Sequence, residues 1–166
     1  MSAGSEQAAH AADARALCAR ERFGTLATLA REPVGHPFAS LVGYALGADG
    51  QPLFLLSRLA EHTQNLHADP RASLLVCESP SGSGVRGGES GALARARVTL
   101  VGDIESVGPS GTDAAREAYL GVHPEGARYL QLNFGFYRLR VRSARYVGGF
   151  GRMSWVAAAD FAPGAT

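Results

Sequence analysis

Residues 94–105 alternate more strictly than any other stretch of the chain. Ala94, Ala96, Val98, Leu100, Gly102 and Ile104 occupy one parity; Arg95, Arg97, Thr99, Val101, Asp103 and Glu105 occupy the other. Successive side chains of a strand point to opposite faces, so this period predicts a strand with one small, apolar face and one mostly polar face. A second stretch repeats the pattern, with Tyr137, Leu139 and Val141 facing one way and Arg138, Arg140 and Arg142 the other. The chain is thereby tied to a sheet that is half buried and half wet, the usual condition of antiparallel strands.

The remaining segments extend that sheet. Thr25–Leu29, Phe38–Leu46, Leu53–Leu56 and Ala72–Val76 read as strands, and Arg145–Val147 extends or re-enters the sheet. Asp49-Gly50 between two of them is a short hairpin signal. An Ala-rich helix is expected over 6–22 and is stopped by Gly24. A second helix is expected over 58–68, with Ser57 as its cap and Asp69-Pro70 as its end. Thr112 is placed to cap a helix over 113–120, and a further helical piece covers about 125–132 after Pro124. Six or seven strands, mostly joined by short turns, predict a compact, mainly β protein: a β-barrel with flanking helices.

The 166 residues fit a single domain. A chain of that length buries roughly 70% of its unfolded surface and needs neither disulfide nor metal to fold. Residues 1–5 and 159–166 are expected to be flexible tails. Sixteen basic residues stand against 15 acidic ones, and all 16 are arginine. The balance supplies no drive toward nucleic acid, and the absence of lysine excludes any mechanism that needs a lysine Schiff base. Cys18 and Cys77 lack metal-ligand spacing and are expected as reduced thiols. The N-terminus has no basic segment leading an apolar run, and no apolar stretch approaches the ~20 residues of a membrane span. A cytoplasmic location with no membrane partner is the expectation.

Few local motifs carry chemistry. Gly82-Ser83-Gly84-Val85-Arg86-Gly87 matches the spacing of a dinucleotide fingerprint, yet Gly88-Glu89-Ser90-Gly91 follows it and starts no helix. A flexible loop over 79–92 is the better reading. Ser57-Arg58 stands where a strand meets a helix, and a helix N-terminus suits an anion. His62 and Thr63 sit one turn further on. On spacing alone, capping by Ser57 and packing of Leu59, His62, Thr63 and Leu66 on the barrel outweigh phosphate binding. Arg97, Arg138, Arg140 and Arg142 read as a solvated face before they read as an anion patch. The five histidines have no zinc-like spacing, and no serine stands in G-x-S-x-G, so hydrolytic catalysis has no signal.

Ordered segments give a larger pattern: Phe23-Gly24-Thr25-Leu26-Ala27-Thr28-Leu29, Pro37-Phe38-Ala39-Ser40-Leu41, Leu53-Phe54-Leu55-Leu56-Ser57, and Leu59-Ala60-Glu61-His62-Thr63-Gln64-Asn65-Leu66. Together with Arg97-Val98-Thr99-Leu100-Val101-Gly102 and Tyr146-Val147-Gly148-Gly149-Phe150-Gly151-Arg152, this order resembles the FMN-binding split-barrel superfamily, typified by the pyridoxamine 5′-phosphate oxidases. The likeness is closer to the branch holding haem-utilisation and CREG-like proteins, and it covers about residues 12–158. It implies a six-stranded antiparallel split barrel that forms a homodimer with FMN at the interface.

By position, the resemblance puts the backbone at Ala39, Ser40 and Leu41 against the isoalloxazine edge. It puts Ser57, His62 and Thr63 near the phosphate, and Arg97 where the oxidases place a flavin-contacting Gln. Arg152, with Trp155 nearby, would close the site. The oxidases carry a basic pair in the region of His62 and Thr63, and this chain does not. Three functions follow as expectations. The first is an FMN-dependent oxidoreductase acting on a small molecule. The second is haem binding or degradation on the same barrel, although no histidine follows His123. The third is an interaction module without a cofactor.

Overall fold

A computed structural model describes residues 3–80, 91, 93–149 and 151–161. The glycine motif at 82–87 lies outside the described residues. Helix α1 (Ala3–Arg20) leads into β1 (Phe23–Leu29), β2 (Pro37–Gly43), the two-residue β3 (Ala45–Leu46) and β4 (Pro52–Ser57). Helix α2 (Glu61–Ala68), β5 (Arg71–Cys77) and β6 (Arg97–Ser106) follow. A 3-10 turn at Pro109–Gly111 precedes α3 (Thr112–Val122), and another (Pro124–Tyr129) precedes β7 (Phe134–Val147). The described chain ends in β8 (Met153–Ala157) and the one-turn α4 (Ala158–Phe161).

The strands form one antiparallel sheet in the order β2-β1-β5-β6-β7-β4-β3, with β8 also on β7. The expected mainly β split barrel with flanking helices is therefore the fold. The path ends at β2 on one side and β3 on the other, so the sheet curls without a closing ladder. The eight strands exceed the expected six because the second strand breaks at Tyr44 and because β8 gave no clear alternation. Long β7 is one strand of 14 residues rather than two short ones. Its N-terminal half pairs with β4 and its C-terminal half with β8, on the same edge. Gln51 fills the gap between them: its Oε1 accepts the Val141 N–H at 2.8 Å. The β6–β7 register shifts at Val101/Gly102, where a Cβ on Gly102 would fall 2.0 Å from the Arg140 carbonyl oxygen. Only glycine fits that close approach.

The parity read from residues 94–105 sets the core. Val98, Leu100 and Ile104 point inward with Leu26, Leu74, Leu139 and Tyr146. Helix α1 presents Ala11, Ala14, Leu17 and Cys18 to the same core, and burial pushes the Cys18 thiol up to about 12. A second cluster lies under α3, where Ala115 and Tyr119 meet Leu53, Leu55 and Phe136.

Three local expectations are corrected. Ser57 does not cap a helix: its Oγ accepts the Leu59 N–H at 3.3 Å in a tight turn, and α2 begins at Glu61, behind Ala60. Leu59 is outside the helix and exposed. Thr112 is inside α3, with Gly111 before it, and its hydroxyl donates to the Gly108 carbonyl at 3.1 Å. The tail expected from 159 is also anchored further than predicted, because Phe161 is buried in the main core.

Candidate cofactor site

Two surfaces meet at β2. Ser40 pairs with Leu26 and shares its inward face, whereas Ala39 and Leu41 pair with Ala27 and Thr25 on the outward face. The backbone of 39–41 thus separates a polar corner inside from a broad sheet face outside.

The inner corner is built by β1, β2 and α2. His62 Nδ1 stands 3.2 Å from Ser40 Oγ. Burial lowers the His62 pKa below the ordinary imidazole value, so the ring is neutral at pH 7. Its Nε2 is buried and has no hydrogen-bond partner among the described residues, nor does the hydroxyl of fully buried Thr63. Beside them, buried Asn65 donates to Thr28 Oγ1 at 3.2 Å and accepts the Arg31 N–H at 3.1 Å. The sequence reading missed Thr28 and Asn65. Asn65 one turn after Glu61 on a short helix was the available signal, since a buried amide needs partners.

The expected set is not one cluster. Ser40, His62 and Thr63 come together. Arg97 lies on β6, three strand spacings or about 14 Å across the sheet from β2. Its guanidinium donates to the backbone carbonyls of Leu93 (2.9 Å) and Arg95 (3.4 Å). Arg152 pairs with Asp13 of α1 at 2.8 Å. Arg140 and Arg142 are exposed and form ion pairs with Glu105 and Asp103, in agreement with the solvated-face reading, whereas Arg138, beside Asp49 at 3.4 Å, is half-buried.

The phosphate corner offers little positive charge. His62 is neutral, Thr63 is sealed, and the Glu61 carboxylate occupies the first turn of α2, where it meets Arg31 at 3.5 Å. Arg58 is the exposed cation at this junction, and it lies against Gly135. Among the described residues, the donors that fit a phosphate here are Arg58, the Glu61-paired Arg31 and the first free amides of α2.

The outer face has a clearer shape. Ladder partners place Leu41, Thr25, Leu75, Thr99, Arg145 and Trp155 in one row across six strands. The adjacent row on the same face is Ala39, Ala27, Ser73, Val101, Ser143 and Ala157. Every member of the second row but Val101 is Ala or Ser, so it forms a trough about 24 Å long beside the row that holds Leu41, Leu75, Arg145 and Trp155. At its β1–β5–β6 section the trough opens into a groove of about 350 Å³, bordered by Leu29, Pro37 and Arg71. Arg71 is clamped by Asp69 at 2.6 Å, which holds that carboxyl at about 2. The Arg145 guanidinium lies 5.6 Å over the Trp155 ring. Leu41 is 78% exposed and Trp155 58%, with Gln7 of α1 donating to the Trp155 carbonyl at its edge. A trough of this kind accepts a flat apolar body whose polar ends reach guanidinium groups.

No group of three His, Cys, Asp or Glu side chains is placed to hold a metal among the described residues. No described helix is long and apolar enough to cross a membrane.

Comparison with known proteins supplies names for this architecture. A family model described as CREG, beta-barrel matches residues 5–162. The chain is 36% identical over 127 residues to the non-canonical heme oxygenase HOZ of Arabidopsis thaliana chloroplasts. That match covers 76% of this chain and 36% of the relative. A heme binding protein from Mycobacterium smegmatis superposes with a TM-score of 0.80 at 38% identity, over 92% of this chain and 59% of that one. The chain thus spans about a third of the plant relative and under two thirds of the mycobacterial one. An FAD-binding protein from Mesorhizobium loti shares the fold at 19% identity and a TM-score of 0.61, over 80% of this chain and 90% of its own.

Proposed function

Because this chain belongs to the CREG β-barrel family, we propose that it binds haem on the outer sheet face, as a homodimer whose second copy covers that face. The supporting observation is the trough from Ala39 to Ala157, flanked by Arg71 and Arg145. A porphyrin is a flat apolar ring with anionic substituents, and such a surface matches both properties. The Arabidopsis relative is named for heme oxygenase activity and the mycobacterial one for heme binding, which supports the same cofactor.

Bound haem supplies iron-centred electron chemistry. The chain's own residues have simpler tasks. Ala27 and Ser73 keep the floor low, Thr99 and Ser143 border it with hydroxyls, and the arginines hold carboxylates. A second copy would exclude water from Leu41, Val101 and Trp155, which a lone chain leaves wet.

The test is a titration with haemin. A saturable, sharpened Soret band is expected. Ser73→Phe, which fills the trough from an exposed strand face, should abolish it with little change in Tm. No saturable binding at micromolar haemin, or equal binding by Ser73→Phe, would remove the proposal.

FMN is the second reading, and Arg58 at the β4–α2 junction is the observation favouring it. The neutral His62, the sealed Thr63 and the Glu61 carboxylate beside that junction weigh against it. A yellow protein as purified, with flavin absorption retained on desalting, would reverse the order of the two.

A further inference from the structure

A second cleft lies away from both surfaces, between α3 and the β3–β4 hairpin. Its volume is about 490 Å³, within the range of small-molecule pockets. Leu53 of β4 forms its back wall, and Ala114 and Ala118 of α3 form its side. The space exists because those α3 positions carry methyl groups; a longer side chain at either would occupy it.

Arg138 of β7 stands in the wall of this cleft, and its charge is poorly matched. Its Nη1 meets Asp49 Oδ2 at 3.4 Å, a single lateral contact in place of a two-pronged one. Asp49 is shared: Arg140 approaches the same oxygen at 3.9 Å, and the other oxygen accepts the Gln51 N–H at 3.1 Å. Glu105, which faces Arg138 across the ladder, gives its carboxylate to Arg140 at 2.7 Å instead. The Arg138 Nε is buried with no hydrogen-bond partner among the described residues. That Nε is sealed from the cleft, but the partly exposed guanidinium end carries only the 3.4 Å contact to Asp49 among the described residues, and a carboxylate offering two oxygens is the group that satisfies it best. Glu117 at the mouth adds negative charge that disfavours multiply charged anions.

We propose that this cleft is a binding site for a small monocarboxylate with an apolar body, the carboxylate on Arg138 and the body against Leu53 and the α3 alanines. The site is independent of haem: it uses the second core cluster and none of the trough residues.

The probe is 3-phenylpropanoate, titrated into the full chain and followed by calorimetry and by chemical-shift changes of the Ala114 and Ala118 methyls. Saturable binding is expected, with 3-phenylpropanamide about tenfold or more weaker because it lacks the charge-assisted pair. Arg138→Gln should remove the preference for the acid over the amide. Ala118→Leu fills the cleft from a half-exposed helix position, where leucine keeps the helix; it should abolish binding of both compounds. Haemin titration should be unchanged in Ala118→Leu, which separates this site from the trough. No saturable binding at millimolar probe, equal affinity for acid and amide, or unaltered binding by Ala118→Leu would each overturn the proposal.

Discussion

Strand β6 lives in two environments at once. Inward, Val98 and Leu100 have no exposed surface and pack on Val76, Leu74, Tyr146 and Ala144 across the neighbouring ladders. Outward, Val101 is part of the trough and Thr99 borders it, and Val101 is 38% exposed. The two parities come from the same ten residues and share the same backbone hydrogen bonds, so backbone pairing cannot explain the difference. What differs is filling. The inner face is finished by one chain, with α1 closing it; the outer face keeps small residues where a folding core would place large ones. Folding is thus assigned to one side of the sheet and, under the proposed function, recognition to the other.

That division is broken most directly by matched truncations on adjacent residues. Leu100→Ala should cost about 3 kcal/mol in urea unfolding, since it removes a fully buried side chain and leaves a cavity. Val101→Ala, one residue on, should cost less than about 0.5 kcal/mol. Similar losses at the two positions would mean that the outer face contributes to the stability of the single chain.

A second experiment sharpens the comparison from the recognition side. Leu41→Asp combined with Val101→Asp places two carboxylates on the outer face. The variant should fold with wild-type urea stability when dilute, yet shift from dimer to monomer in light scattering. A wild-type chain that is monomeric at all concentrations would leave the outer face without its proposed cover.

The two faces were not equally legible in the sequence. The inner one was plain, because period-two alternation in 94–105 and 136–142 states which residues must be hidden. The split barrel then followed from the order of strands and turns. The trough was not legible. Ala39, Ala27, Ser73, Val101, Ser143 and Ala157 lie on six strands, and only ladder register brings them into one row. Residue by residue, they look like unremarkable small positions. Helix starts failed for a local reason: Ser57 and Thr112 have capping chemistry, but a turn intervenes at one and a 3-10 turn precedes the other. Among the expected site residues, Ser40, His62 and Thr63 could be grouped by a strand-to-helix return. Arg97 and Arg152 could not, because nothing local reveals that Arg97 bonds to carbonyls and Arg152 to α1.

The smallest effect concerns the polar exception on the inner side, the Ser40–His62 contact. Burial depresses the His62 pKa, so the folded chain prefers the neutral ring, while the unfolded chain titrates near the ordinary value of about 6.5. Below that value the unfolded state takes up the proton more readily, and stability must fall as pH decreases through and below about 6.5. Above it, both states hold a neutral ring and the term vanishes. His62→Asn keeps a polar group facing Ser40 and cannot titrate. Its urea stability should therefore fall less than that of the wild type between pH 7 and pH 5, with the two curves parallel above pH 7. Val101→Ala, on the outer face, should follow the wild-type curve throughout. If His62→Asn also follows it, the imidazole is free to accept its proton in the folded chain, and the inner side is wetter at this corner than the rest of the sheet.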